Sequence, residues 1–327
     1  MSDDELDVLL HRADIDGLIR LLDSLCASRR WGDVLAVRDR SRAAVQTGRQ
    51  LWPIATLAEY RLALWAPPKW AATVLDDDSG RFTIGPLSEV AAQHHTFADL
   101  RPHLANDHRL GFIAHERSLR GEAIDADVID PLDIGFVLQP WEPAYPLAEY
   151  SDDGVAQPSP ERPSLAGALP VDDTPTTETV DDPGVVTAVR QLFDAWTAAS
   201  HGRVEVTCVE GDAADAVHAL GVHGARLVEI TPADALAWLG WAGATGAAHG
   251  RRRGSAAGRF GVWWLLAALG DIADDWPVDP DELGAIAGAL RWYWWDAGEP
   301  GLGWEVQLAI GDPAEGYAWA ISAHDAD

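Results

Sequence analysis

Arg291-Trp-Tyr-Trp-Trp295, Trp304-Glu-Val-Gln-Leu-Ala-Ile310 and Tyr317-Ala-Trp-Ala-Ile-Ser322 read as three successive strands of a C-terminal meander. Side chains along a strand point alternately to its two faces. Trp292 and Trp294 therefore share one face, and Tyr293 and Trp295 share the other. Trp304, Val306, Leu308 and Ile310 form an apolar face opposite Glu305 and Gln307. A strand that is apolar on both sides needs cover on both, from helices or from a partner. Turn sequences at 297–301 and 311–314 separate the three strands.

Upstream of the meander the pattern alternates. A helical stretch over 185–200 leads into a strand, Val204–Val209, then a helix at 212–220 and a second strand, Arg226–Ile230. This β-α-β order predicts parallel pairing through a right-handed crossover. Thr231, Pro232 and Asp234 mark the start of the next helix, and Asp279-Pro280-Asp281-Glu282 marks another. The expected C-terminal domain, 184–327, is a Trp-rich α/β sandwich with a mixed sheet.

Before it, residues 151–183 hold eight acids, one base (Arg162) and six prolines, with no aromatic side chain. Such a stretch buries too little apolar surface to offset its ordering entropy and reads as an acidic linker. Residues 1–150 read as an all-α array, with apolar side chains at three- and four-residue spacing from Leu6 to about residue 120. Short helices with short connections predict a solenoid-like stack of helical hairpins. The Arg30-Trp31 and Lys69-Trp70 pairs hint at a period without establishing one. Gln139–Tyr150 interleaves three prolines with three aromatics, an extended strip that must pack on something.

Composition narrows the function. The net charge is −28, with a single lysine, Lys69, among 24 bases. A polyanion is repelled by such a chain, so direct nucleic-acid binding is not expected. Cys26 and Cys208 provide neither a disulfide framework nor zinc spacing, and the acidic N-terminus opens a helix; a cytoplasmic protein without membrane anchoring is expected. The arginine-rich, alanine-rich usage matches a high-GC bacterial genome.

Against this charge, residues 249–261 (His-Gly-Arg-Arg-Arg-Gly-Ser-Ala-Ala-Gly-Arg-Phe-Gly) are locally cationic. Arg251, Arg252, Arg253 and Arg259 are candidate readers of an anion or an acidic partner, and Ser255 is placed to cap the helix that follows. The spacing is neither a Walker motif nor a dinucleotide fingerprint. The competing reading is an interhelical turn whose arginines pair with the chain's own acids. Eleven of the sixteen tryptophans follow residue 190, and Trp292, Trp295 and Trp304 are candidate aromatic anchors, since Trp and Arg are favoured at binding hot spots. His94, His95, His103, His108 and His115 lack metal-ligand spacing. No nucleophile motif and no cofactor motif occurs. The sequence thus points to a non-catalytic protein-interaction or scaffold protein. Its alternatives are an enzyme or sensor that binds a phosphorylated small molecule at the arginine loop, and an acidic, immunity-type inhibitor of a basic partner.

Overall fold

The computed structural model describes residues 3–75, 84–125, 127–152, 154–171, 177–298 and 303–326. The chain divides into two compact units, 1–131 with 149–156, and 132–148 with 157–327.

The first unit is helical: α1 (Asp3–Arg12), α2 (Ile15–Ala27), α3 (Trp31–Gln46), α4 (Trp52–Trp65), α5 (Pro68–Ala71), α6 (Leu87–His94), α7 (Phe97–Leu100) and α8 (His108–Leu119). Short polar side chains set several of its starts. Asp14 accepts from Gly17 N at 2.9 Å ahead of α2, and Thr96 and Asp99 form a reciprocal capping box at α7. The unit is organised round α4, which touches α2, α3 and α6 and is buried on most of its sides, from Ile54 and Ala58 to Leu62 and Leu64. Each large aliphatic side chain buried there contributes about 1.5–3 kcal/mol. Pro67 and Pro68 follow the end of α4 and stop it from continuing.

A hairpin completes this unit: β1 (Glu149–Ser151) pairs antiparallel with β2 (Gly154–Ala156). Gln93 holds β1 like a strand neighbour, accepting from Tyr150 N at 2.6 Å and donating to Tyr150 O at 2.9 Å. The Tyr150 hydroxyl donates to the buried Glu89 carboxylate at 2.6 Å.

The second unit contains β3 (Leu169–Pro170), α9 (Pro183–Leu192), α10 (Asp194–Ala198), β4 (Arg203–Glu210), α11 (Ala213–Ala219), β5 (Arg226–Ile230), α12 (Pro232–Ala244), α13 (Ser255–Leu269), α14 (Pro280–Ala289), β6 (Arg291–Asp296), β7 (Trp304–Asp312) and β8 (Tyr317–Asp325). Its strand order is β3-β5-β6-β7-β8-β4. Every pairing among these strands is antiparallel, which corrects the expected mixed sheet. β4 and β5 do run in the same direction, but β6, β7 and β8 lie between them. The tightly connected meander pairs with itself, and β8 takes β4 along eight residues, Arg203 to Glu210. The β-α-β crossover therefore spans the sheet instead of joining neighbours.

The alternation expected for the tryptophan strand holds. Trp292 pairs with Ile310 and Trp294 with Leu308 on one face, whereas Tyr293 pairs with Ala309 on the other. The first face carries an aromatic layer: Trp238 lies 4.9 Å from Trp294, and Trp241 stacks on Trp304 at 5.0 Å. On the second face Trp295, Ala309, Ala318 and Ala320 pack with Ala213, Ala216 and Val217 of α11. Small alanines there let the helix approach closely.

The expected linker is partly built into this unit over its described residues; 153 and 172–176 lie outside them. β3 adds to the sheet edge and Val171 enters the core. Arg162 pairs with Glu305 at 2.6 Å, and Asp182 accepts from Trp319 Nε1 at 2.8 Å while capping α9.

Candidate functional site

The arginine loop joins α12 to α13, and part of it turns inward. The amides of Arg253 and Gly254 donate to Ala244 O at 2.8 and 3.2 Å, closing the open end of α12. Gly254 is the N-cap of α13 with φ +97, a conformation glycine adopts without strain. Ser255 is therefore the first residue of the helix, not its cap, and its hydroxyl accepts from Arg252 Nη2 at 3.1 Å. Arg252 is buried, Arg251 and Arg253 are exposed, and Arg253 donates to Gln191 O at 2.8 Å.

Arg259 has no exposed side-chain surface. It grips Glu142 through two bonds of 2.7 Å, from Nε and Nη2, and also donates to Gly135 O and Val137 O. Glu142 further accepts from Trp263 Nε1 and from the Tyr145 hydroxyl, each at 3.0 Å. Burial, reinforced by this carboxylate, pushes the Tyr145 phenol well above its usual range. The anion that Arg259 reads is thus internal. Glu142 sits in the proline- and aromatic-rich strip, which explains where that strip packs: Trp141 lies 5.4 Å from Trp263 and donates to Pro280 O.

The aromatic candidates divide in the same way. Trp292 and Trp295 are buried, and Trp304 is half-buried under Trp241, so all three serve the core in this structure. Among the histidines, His115 is fully buried with Nε2 at 2.7 Å from Asp130. Burial pulls the His95 pKa down, which favours a neutral ring. Among the described residues no cluster of His, Cys, Asp or Glu could hold a metal ion, and no described helix is long and apolar enough to cross a membrane.

An open groove lies in the helical unit, away from the motifs singled out in the sequence. A groove of about 680 Å³ is lined by Asp23, Cys26, Ala27, Arg29, Trp31, Arg61, Trp65, Pro67 and Asp152. α2 contributes Asp23 and Cys26, and the turn into α3 contributes Arg29. Arg61 and Trp65 are four apart on α4, which places them on one face. The Arg61 guanidinium stacks 4.3 Å above the Trp65 ring. The Tyr60 hydroxyl donates to Ser151 O at 2.5 Å, anchoring the hairpin whose Asp152 reaches the groove.

Trp65 is 39% exposed, unusual for so large an apolar ring. The Arg61 side chain is only 10% exposed, yet its closest acid, Asp23, stands 3.6 Å away. That separation is too long for a hydrogen bond, and the buried Arg61 Nε has no acceptor. Beside it burial pushes the Cys26 thiol up to about 11, partly offset by Arg61, so the thiol is protonated at neutral pH.

A family model described as "Family of unknown function (DUF6183)" matches residues 16–327, a span that runs through both units. No curated protein and no solved structure matches the chain.

Proposed function

We propose, from the premise that the chain belongs to this family of unknown function, that it is a non-catalytic protein-interaction protein whose docking surface is the groove of the helical unit. One observation carries the reading: Trp65 stands exposed under Arg61 at the lip of an open groove. Trp and Arg are the side chains that most often dominate binding energy, because each offers a large contact area together with a polar handle. In this reading the helices supply the concave surface that solenoid-like arrays use for partners. The arginine loop has a lesser part, since Arg252 and Arg259 are buried among internal partners.

The second unit supports the same reading as a scaffold, because its tryptophans are spent on a two-sided core. A small anionic ligand is the competing occupant, because the groove volume falls within the range of small-molecule sites. Affinity purification from the native host separates these outcomes. Wild type is expected to retain a protein partner that Trp65→Ala loses and Arg253→Ala keeps. The same partners on wild type and Trp65→Ala would overturn the assignment of the groove.

A further inference from the structure

Arg61 is buried with its nearest acid at a long distance. Its side chain is nine-tenths buried, so its charge has lost most of its hydration. Arg38 and Arg120, similarly buried and each with one nitrogen short of an acceptor, have an acid at 2.8 Å, and Arg259 makes four bonds to Glu142 and two carbonyl oxygens. Arg61 has Asp23 at 3.6 Å and a buried Nε with no acceptor. Arg61 lines the groove, and the paired N–H groups of a guanidinium fit the two oxygens of a carboxylate.

The surroundings limit what can fill it. Arg29 and Arg61 are balanced by Asp23 and Asp152 along the groove, so a doubly charged phosphate meets no net positive field. A single carboxylate needs only one fork, and Asp23 and Asp152 remain to accept from N–H donors of the same ligand. The Trp65 ring, with Trp31 and Pro67, offers apolar area beside the fork.

We propose that this groove recognises a carboxylate carried next to an apolar or aromatic group on a peptide segment of a protein partner. The assignment rests on the protein-interaction reading above, and it adds the chemistry of the contact. Arg61 pairs the carboxylate, Trp65 stacks on the neighbouring group, and the two acids accept from the peptide N–H groups.

The test uses the full chain and three small probes: indole-3-acetate, indole-3-acetamide and phenyl phosphate. Binding is followed by isothermal titration and ligand-observed NMR. Indole-3-acetate is expected to bind wild type at least about tenfold more tightly than the amide and the phosphate, the effect of a charge-assisted bond. Arg61→Met should remove that preference while thermal melting stays unchanged or rises, because an uncompensated buried charge is being replaced by an apolar chain. Equal binding of acetate and amide, or equal binding by wild type and Arg61→Met, overturns the carboxylate site. A loss of binding that comes only with a lowered melting temperature also overturns it, by making Arg61 structural. If acetate binding depends on Arg61 but no partner protein is retained from the host, the protein-interaction reading fails and the carboxylate site stands. If a Trp65-dependent partner is retained without discrimination among the probes, the carboxylate site alone fails.

Discussion

Arg259 on α13 and Glu142, 117 positions apart, meet at 2.7 Å with neither side chain exposed. A buried pair of this kind is costly to break from one side, because the remaining charge loses its ionic partner. Arg259→Met is therefore expected to cost about 3–5 kcal/mol, measured by urea unfolding. Arg253→Ala, at an exposed position in the same loop, should stay within about 0.5 kcal/mol of wild type. Equal unfolding midpoints for the two variants would show that the pair does not hold the strip to the helix.

Gly258, near the start of α13, answers to packing. A Cβ on Gly258 would lie 2.2 Å from Gly240 O, where α12 and α13 cross. Gly258→Ala should force the two helices apart and cost about 1–3 kcal/mol. Gly288 in α14 has open space instead, with nothing within 4 Å of the added atom. Gly288→Ala should then stabilise by about 0.5–1 kcal/mol through helix propensity. Thermal melts of the two variants should move in opposite directions.

Local chemistry made much of this architecture legible in the sequence. Thr231 caps α12 by accepting from Asp234 N at 3.1 Å, and Asp279 caps α14. The two-residue period placed Trp292 and Trp294 together. Strand order depends instead on which distant edges meet, so the same pattern that located β4 and β5 could not show three strands between them. The groove was hidden for a related reason. Asp23, Arg61 and Asp152 come from separate stretches, and nothing in the spacing of Arg61 marks it as short of a partner. In the arginine loop, charge was visible, but burial reversed its meaning: Arg259 needed Glu142, which lies in another segment.

Alkaline stability follows from the buried thiols. Burial raises Cys26 and Cys208 from 9.0 to about 11. The unfolded chain releases these protons from about pH 9, while the folded chain holds them to about pH 11. The stabilisation is complete below pH 9 and is lost as pH rises through 11. Urea midpoints should fall across that window, and less so in Cys26→Ala/Cys208→Ala. At pH 8 a disulfide reagent should label neither thiol until the chain is unfolded; rapid labelling in native buffer would contradict the buried, protonated state.

Tyr60 connects the central helix to the groove. Its hydroxyl donates to Ser151 O at 2.5 Å, and its ring meets Tyr150 edge-on at 6.3 Å. Tyr60→Phe keeps the ring contact and removes the donor, leaving the hairpin carbonyl without that bond. The global cost should be about 0.5–1.5 kcal/mol. The local effect should be larger than the global one, because β1 and β2 are only three residues each and a short isolated hairpin is marginal in water. Hydrogen exchange should therefore accelerate over 149–156 more than in α4. Since the hairpin carries Asp152 into the groove, the same variant should weaken ligand contacts that use this carboxylate and leave the Arg61–Trp65 stack intact. Uniform acceleration across the helical unit would instead place Tyr60 in the general core.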